Sequence, residues 1–283
     1  MFGRSFFRHR IESRRRRLAA RLRGHGLEIG ALANPSTIPN ASRVLYSDIL
    51  TAEQLDAAYP GSRHPDIISD SETFPSVPDA TFDFVVANHV IEHVSSPIRA
   101  LQEWHRILKP GGRVLMAVPD KRFTFDHRRS RTPLHHVVHD YLHPAAPEEM
   151  NRAHLLEWAE WVEGLAPGTS AFDRWVSTQI ANGFSVHNHV WVAQDVIDML
   201  LWMHRETPAR FELEAWHNSS LLRAEVVMLL RACRPGSPSA ETTLAAAGRV
   251  ARLQHCWLQA QAWMLLSAKR ARRRTQAGGL PGA

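Results

Sequence analysis

LEIGALANPSTIPNASRVLYSD, residues 27–48, decides how the rest of the chain is read. A short apolar run from Leu27 reaches Gly30 and then breaks up through Ala31, Leu32, Ala33 and Asn34 ahead of Pro35. A strand ending in a loop of small residues lets a ligand approach the backbone, which bulky side chains would block. A second apolar run, Arg43 to Tyr46, ends at Asp48, twenty residues after Glu28. An acid at that distance, at the C-terminal end of a second strand, can accept hydrogen bonds from a ribose diol. Only Gly30 stands where a dinucleotide fingerprint has three glycines, so this stretch alone suits a nucleotide-type ligand without fixing which.

Outward from it the chain alternates. Thr51 can cap a helix running to Tyr59, with Ala52, Leu55 and Ala58 on one face and Pro60-Gly61 as a stop. Asp66 to Ser69 reads as a third strand ending at Asp70, and FDFVVA (82–87) as a buried one with Asn88 and His89 at its C-terminal end. Pro97 opens a helix that turns Ile98, Leu101, Trp104, Ile107 and Leu108 inward and stops at Pro110-Gly111-Gly112. Arg113 to Val118 is the next strand. Such alternation predicts an α/β fold with a doubly wound, mainly parallel sheet. From about 121 to 188 strand signals lapse, and two helical stretches, 132–143 and 147–164, take their place. An insertion at a strand's C-terminal end overhangs the crevice in which open α/β sheets bind ligands. The helix AQDVIDMLLWMH (193–204) and strands at Arg210–Trp216 and Ala224–Leu230 predict a terminal antiparallel hairpin. RPGSPS (234–239) reads as a boundary before a C-terminal helix over roughly 240–274.

With 283 residues and a 44% apolar share, the chain can build an ample core. Cys233 and Cys256 form no metal or redox spacing, which favours a reducing cytoplasm. No apolar run reaches the ~18 residues of a membrane span, and no apolar segment follows the basic N-terminus as in a secretory signal. The net charge of +6 is unevenly spread. Residues 1–25 carry nine arginines against Glu12, and 234–283 carry eight Lys and Arg against Glu241, which leaves the body, 26–233, at −9. Three parts are expected: a basic arm (1–25), a central domain (26–233) and a basic helix and tail (234–283). Trp257, Trp263, Met264, Leu265 and Leu266 precede KRARRR, a combination that suits an anionic membrane surface better than nucleic acid.

The order LEIGA, YSD, SDSETFP, DATFDFVVANHVIEHV, LKPGGRVLMAVPD resembles class I S-adenosylmethionine-dependent methyltransferases, the type 11-like group in particular. It does so closely over about 27–120, and 189–231 matches that fold's usual ending. The resemblance implies a Rossmann-like methyltransferase fold, S-adenosylmethionine as cofactor, and transfer of a methyl group to an acceptor, such as a hydroxyl of a small molecule or glycan. It implies that Glu28, Gly30 and Ala31 form the cofactor loop and that Asp48 binds the ribose. Asp70 with Ser71 or Glu72 would meet the adenine edge, and Asn88 and His89 would lie near the sulfonium. Residues 31–34 lack the family's second and third glycines.

Further residues suggest chemistry. His89-Val-Ile-Glu92-His93 has the inverted zincin spacing, but a strand-end site explains the same residues, and no metal is expected. His135, His139 and His143 would share one helix face, read as solvated or lid-packing. After the fifth strand, VPDKRFTFDHRRSRTPLHH (118–136) places Asp120, Lys121, Arg122 and Asp126 toward the crevice. Lys121, Arg122, His154, His187 and His189 are read as shaping the acceptor pocket, with Trp158 and Trp191 sealing the lid. If the acceptor is a hydroxyl, His89, His154, His187 and His189 are candidate bases, and His89 is favoured for its strand-end position. The rival readings are a non-catalytic interaction protein on the same fold and a nicotinamide-dependent oxidoreductase, the latter opposed by the missing G-x-G-x-x-G. The expected place is cytoplasmic, with contact to the inner membrane face through the arms.

Overall fold

The computed structural model describes residues 14–144, 147–220, 223–233 and 238–277, with the backbone alone at 147–150, 238–239 and 269–277. Seven strands make one sheet: β1 (Gly24–Ile29), β2 (Ala41–Asp48), β3 (Ile67–Ile68), β4 (Phe82–Asn88), β5 (Leu108–Pro119), β6 (Arg210–His217) and β7 (Glu225–Cys233). Their order is β3-β2-β1-β4-β5-β7-β6. The first five are parallel, while β7 runs antiparallel between β5 and β6. This is the expected doubly wound sheet with an antiparallel hairpin at one end.

Period-two alternation in the central strands divides the core. Val85, Ala87, Val114, Met116 and Val118 face one side, and Phe84, Val86, Leu115 and Ala117 the other. The first side is covered by α3 (Pro97–Ile107) and α7 (Ala193–Glu206), whose Ile98, Leu101, Trp104, Val196, Ile197 and Leu200 are buried there. Against the second side packs α1 (described over 14–19) and the turn after it, through Leu18, Ala19 and Leu22. Residues 14–25 are therefore partly core, not a free arm, because those apolar residues make a narrow stripe between the arginines. Residues 1–13 lie outside the described residues. At Gly26 the Phe84 ring occupies the space of a side chain, since a Cβ there would come within 2.0 Å of it.

Helix α2 (Ala52–Ala58) begins at Thr51 with a reciprocal Thr51–Gln54 cap. β5 starts directly at Leu108, so Lys109 to Gly112 bulge within the strand and do not form a separate turn. The insertion is helical as expected, but holds α4 (Leu134–Leu142), α5 (Pro147–Trp161) and a third helix, α6 (Ser170–Ala181), capped by Thr169. Its two ends meet where Asp120 bridges Trp191. Helix α8 (Pro238–Ala277) continues the main core, burying Leu244, Ala247 and Ala251 with residues of α7 and β6. Leu253, Trp257, Trp263 and Met264 remain exposed, at 82%, 60%, 69% and 54%. Among the described residues no helix is long and apolar enough to cross a membrane.

Candidate active site

The ends of β1 to β4 gather the residues expected around a cofactor. Gly30 has φ 63°, donates its amide to the Ser47 carbonyl at 2.8 Å, and leaves only 3.2 Å between a built Cβ and Val90 Cγ2. Left-handed backbone and close approach both select glycine here. Glu28 is buried, and its carboxylate accepts twice from the Ser36 amide, at 2.9 and 3.0 Å, drawing the loop that carries half-buried Ala31 back onto β1. Burial raises the Glu28 pKa against those bonds. Asn88 donates from Nδ2 to Ser36 Oγ at 3.0 Å, while its Oδ1 is buried without a partner. Asp48 accepts from the Leu50 amide at 3.0 Å through Oδ1. Beside it Ile49, 64% exposed, offers an apolar surface on which a flat ring can lie.

Asp70 accepts through Oδ1 from the amides of Glu72 and Thr73, at 2.9 and 2.8 Å, and so fixes the turn after β3. Ser71 is held at φ 70° and gives its amide to Ser69 Oγ. Glu72, the alternative to Ser71 at the adenine edge, instead accepts from the amides of Ser95 and Ser96 at the start of α3. S-adenosylmethionine fits this crevice: two acid-tipped strand ends flank Ile49, the backbone is open at Gly30, and Asn88 Oδ1 lacks a partner. An apolar surface for a flat ring beside strand-end acids, with open backbone at Gly30, matches a nucleoside joined to an amino acid.

His89, also left-handed at φ 57°, lies between two carboxylates. Its Nε2 is 3.0 Å from Glu225 Oε2 and its Nδ1 3.4 Å from Glu92 Oε1. Burial would lower its pKa, but Glu225 and Glu92 outweigh that and raise it to about 9. An imidazolium has no free lone pair, so at neutral pH His89 is a fixed cation and does not suit the proton-accepting role expected of it. Glu225 is shared with Arg15, whose Nε donates to it at 2.9 Å.

The lid brings a second histidine to the same place. His187 Nδ1 lies 2.7 Å from Asp126 Oδ2, and its Nε2 is 3.9 Å from Glu92 Oε1. Arg129, buried completely, donates to Asp126 Oδ1 (2.9 Å), the His187 carbonyl (2.9 Å) and Glu157 Oε2 (2.7 Å). Burial pushes the Asp126 pKa up, but His187 and Arg129 outweigh it and hold the carboxyl below its ordinary value. Phe125 and His93 close around the imidazole at 4.9 and 4.8 Å between ring centres. The amides of Asn188 and His189 donate to the Glu92 carbonyl at 2.7 and 3.0 Å, fastening this segment to the turn after β4.

The other residues expected in the acceptor pocket are placed differently. Lys121 is half-buried, which lowers its pKa, and Nζ donates to the His127 carbonyl at 3.3 Å. Arg122 forms a buried bidentate pair with Asp120, at 2.9 and 2.6 Å, and reaches His255 of α8, contacts that brace the fold. His154 and His189 are buried beside the half-buried His136 of α4, apart from His187, and His189 stacks on Trp191 at 5.1 Å. Burial lowers their pKa values to about 4 and about 3. Trp158 and Trp191 are sealed in as expected. Arg129 and Glu225 were not singled out from the sequence, although Glu225, an acid opening the apolar run EVVMLL, is a detectable irregularity.

The model of a family described as a methyltransferase domain matches residues 4–167, more than half of the chain. An uncharacterised 37.1 kDa protein of transposon TN4556 in Streptomyces fradiae is 40% identical over 53 residues, 19% of this chain and 15% of that protein. A Mycolicibacterium smegmatis protein, named as a probable S-adenosylmethionine-dependent methyltransferase, is 38% identical over 84 residues, 30% of this chain and 29% of its own length. The matched regions thus span well under half of both relatives. An S-adenosylmethionine-dependent methyltransferase of known structure from Mesorhizobium loti is 14% identical, aligns with 77% of this chain and 96% of its own, and gives a TM-score of 0.46. The family match, on a sheet of this order with that strand-end crevice, makes the chain a member of the methyltransferase-domain family, of the class I S-adenosylmethionine-dependent kind.

Proposed function

We propose that the protein methylates a hydroxyl of a small-molecule or glycan acceptor, with His187 as general base. The observation that carries this is the Asp126–His187 pair beside Glu92, at the end of the strand that borders the cofactor crevice. When bound, S-adenosylmethionine supplies an electrophilic methyl group. The chain's own residues then divide the work. Asp48 and Asp70 accept from the ribose and adenine edges, the Gly30–Ala31 turn admits the amino-acid end, and Asn88 Oδ1 accepts from a donor nearby. Asp126 keeps the proton of His187 on Nδ1 and so leaves the Nε2 lone pair free. The acceptor hydroxyl's proton passes to Nε2 as its oxygen takes the methyl, and the imidazolium formed lies between Asp126 and Glu92. Positioning supplies most of the rate in such an in-line displacement.

Full-length protein given methyl-labelled S-adenosylmethionine and a panel of sugars, polyols and phenols tests this. Label retained through mild base is expected, as for an ether; label released as methanol marks an ester and refutes a hydroxyl acceptor. His187→Ala should cut turnover about 10²–10⁴-fold without changing S-adenosylhomocysteine affinity. We further propose that α8 rests on an anionic membrane surface, which the exposure of Leu253, Trp257, Trp263 and Met264 favours.

A further inference from the structure

Beneath the lid, His136 and Asp140 of α4 stand at i and i+4, one turn apart on one face, and His189 approaches from the segment leading to α7. One ligand-type atom from each of the three lies within 4.8 Å of the others. His136 Nε2 and Asp140 Oδ2 are 3.2 Å apart. Both are shut away from water without a hydrogen bond, as are both nitrogens of His189. Asp140 is 5% exposed and His189 1%. Buried polar atoms are almost always satisfied, so three such atoms, one from each residue, gathered within 4.8 Å indicate a missing partner. His154 of α5 completes the surround, its ring centre 6.1 Å from those of both His136 and His189.

We propose that His136, Asp140 and His189, with His154 as a fourth donor, bind a divalent first-row transition ion, zinc in the first instance. Three imidazoles and one carboxylate are borderline donors that suit zinc and its neighbours, whereas calcium and magnesium prefer all-oxygen sets. The site is held in place before any ion arrives. Thr132 N donates to the Val190 carbonyl at 2.8 Å and Val190 N to Thr132 Oγ1 at 2.9 Å, which fixes His189 against the start of α4. Glu92, His93 and His187 form a second group of compatible donors. There, however, His187 Nδ1 is engaged by Asp126 and His93 Nδ1 by Ser185 and Val186, so those atoms already have partners. The ion would join α4, α5 and the 186–192 segment, and hold His187 two residues from a ligand.

Metal content decides it. Full-length protein, equilibrated with excess zinc and stripped of loose ions by a moderate chelator, should retain about one equivalent. His136→Ala and Asp140→Asn should retain less than a fifth of that, and the exposed His135→Ala and His143→Ala should match wild type. Cobalt added to metal-free wild type should give visible d–d bands of a nitrogen–oxygen site, which requires no variant to fold. Wild type that keeps no stoichiometric zinc and gives no cobalt bands would overturn the proposal. So would zinc retained equally by wild type, His136→Ala and Asp140→Asn, which would mark surface histidines as the holders.

Discussion

The His89 clamp yields a pH dependence with a definite sign. The imidazole titrates near 9 when folded and near 6.5 as an ordinary side chain, because Glu225 and Glu92 stabilise its charged form. Folded protein therefore binds this proton more tightly than unfolded protein. The resulting stability is fully present below pH 6.5 and is lost as pH rises through about 9. Taken without screening, that interval corresponds to roughly 3 kcal/mol. The side chain is 41% exposed, so water screens the pairs and about 1–2 kcal/mol is the better expectation. Proton NMR titration of the His89 ring reads the pKa directly, and urea unfolding at pH 6 and pH 9.5 reads the stability. Glu225→Gln removes the strongest of the raising contacts and should bring the His89 titration well below 9. A wild-type His89 that titrates at or below 6.5, or one indifferent to Glu225→Gln, would refute the clamp.

Asp48→Ala should weaken S-adenosylhomocysteine binding by about 1–3 kcal/mol in calorimetry, and unchanged affinity would place the ribose elsewhere. Arg129→Met leaves Asp126 with one cation fewer in a buried setting and should cost about 3–5 kcal/mol of stability in chemical unfolding, with less than 1 kcal/mol refuting that account. Full-length protein should co-sediment with anionic but not neutral vesicles, and a variant with exposed Trp257 and Trp263 both replaced by Ser, which keeps the buried face of α8, should pellet far less; equal pelleting of both would rule out α8 as the contact.

Local pattern made much of the sheet readable. FDFVVA declares a buried strand through its own composition, and Thr51 with Gln54 marks a helix start within four residues. Strand-end acids were legible for the same reason: Asp48 and Asp70 abut the apolar runs that place them. Helix α6 escaped because its apolar stripe, Phe172 and Val176, is short, although Thr169 signals its beginning. The packing of α1 was hidden by the arginines around Leu18 and Leu22. Pairings across the fold had no local trace. His187 meets Asp126 from 61 positions away and His89 meets Glu225 from 136, distances at which neighbouring residues carry no record of a partner. The favoured base consequently fell on the histidine nearest the strand end. His136 and Asp140 carried a legible i, i+4 relation, but the eye is drawn to His135, His139 and His143, which point to solvent.

The meeting of Asp120 with Trp191 makes residues 121–190 a detour that leaves and rejoins the sheet at a single point. A closed excursion taxes the rest of the chain only through the logarithm of its length, about 0.6 kcal/mol for each doubling. What ties it to the sheet beyond that point is packing and hydrogen bonding, Val137 of α4 in the main core and the Asn188 and His189 amides on the Glu92 carbonyl. Lengthening or shortening the excursion would therefore cost the sheet little in closure entropy.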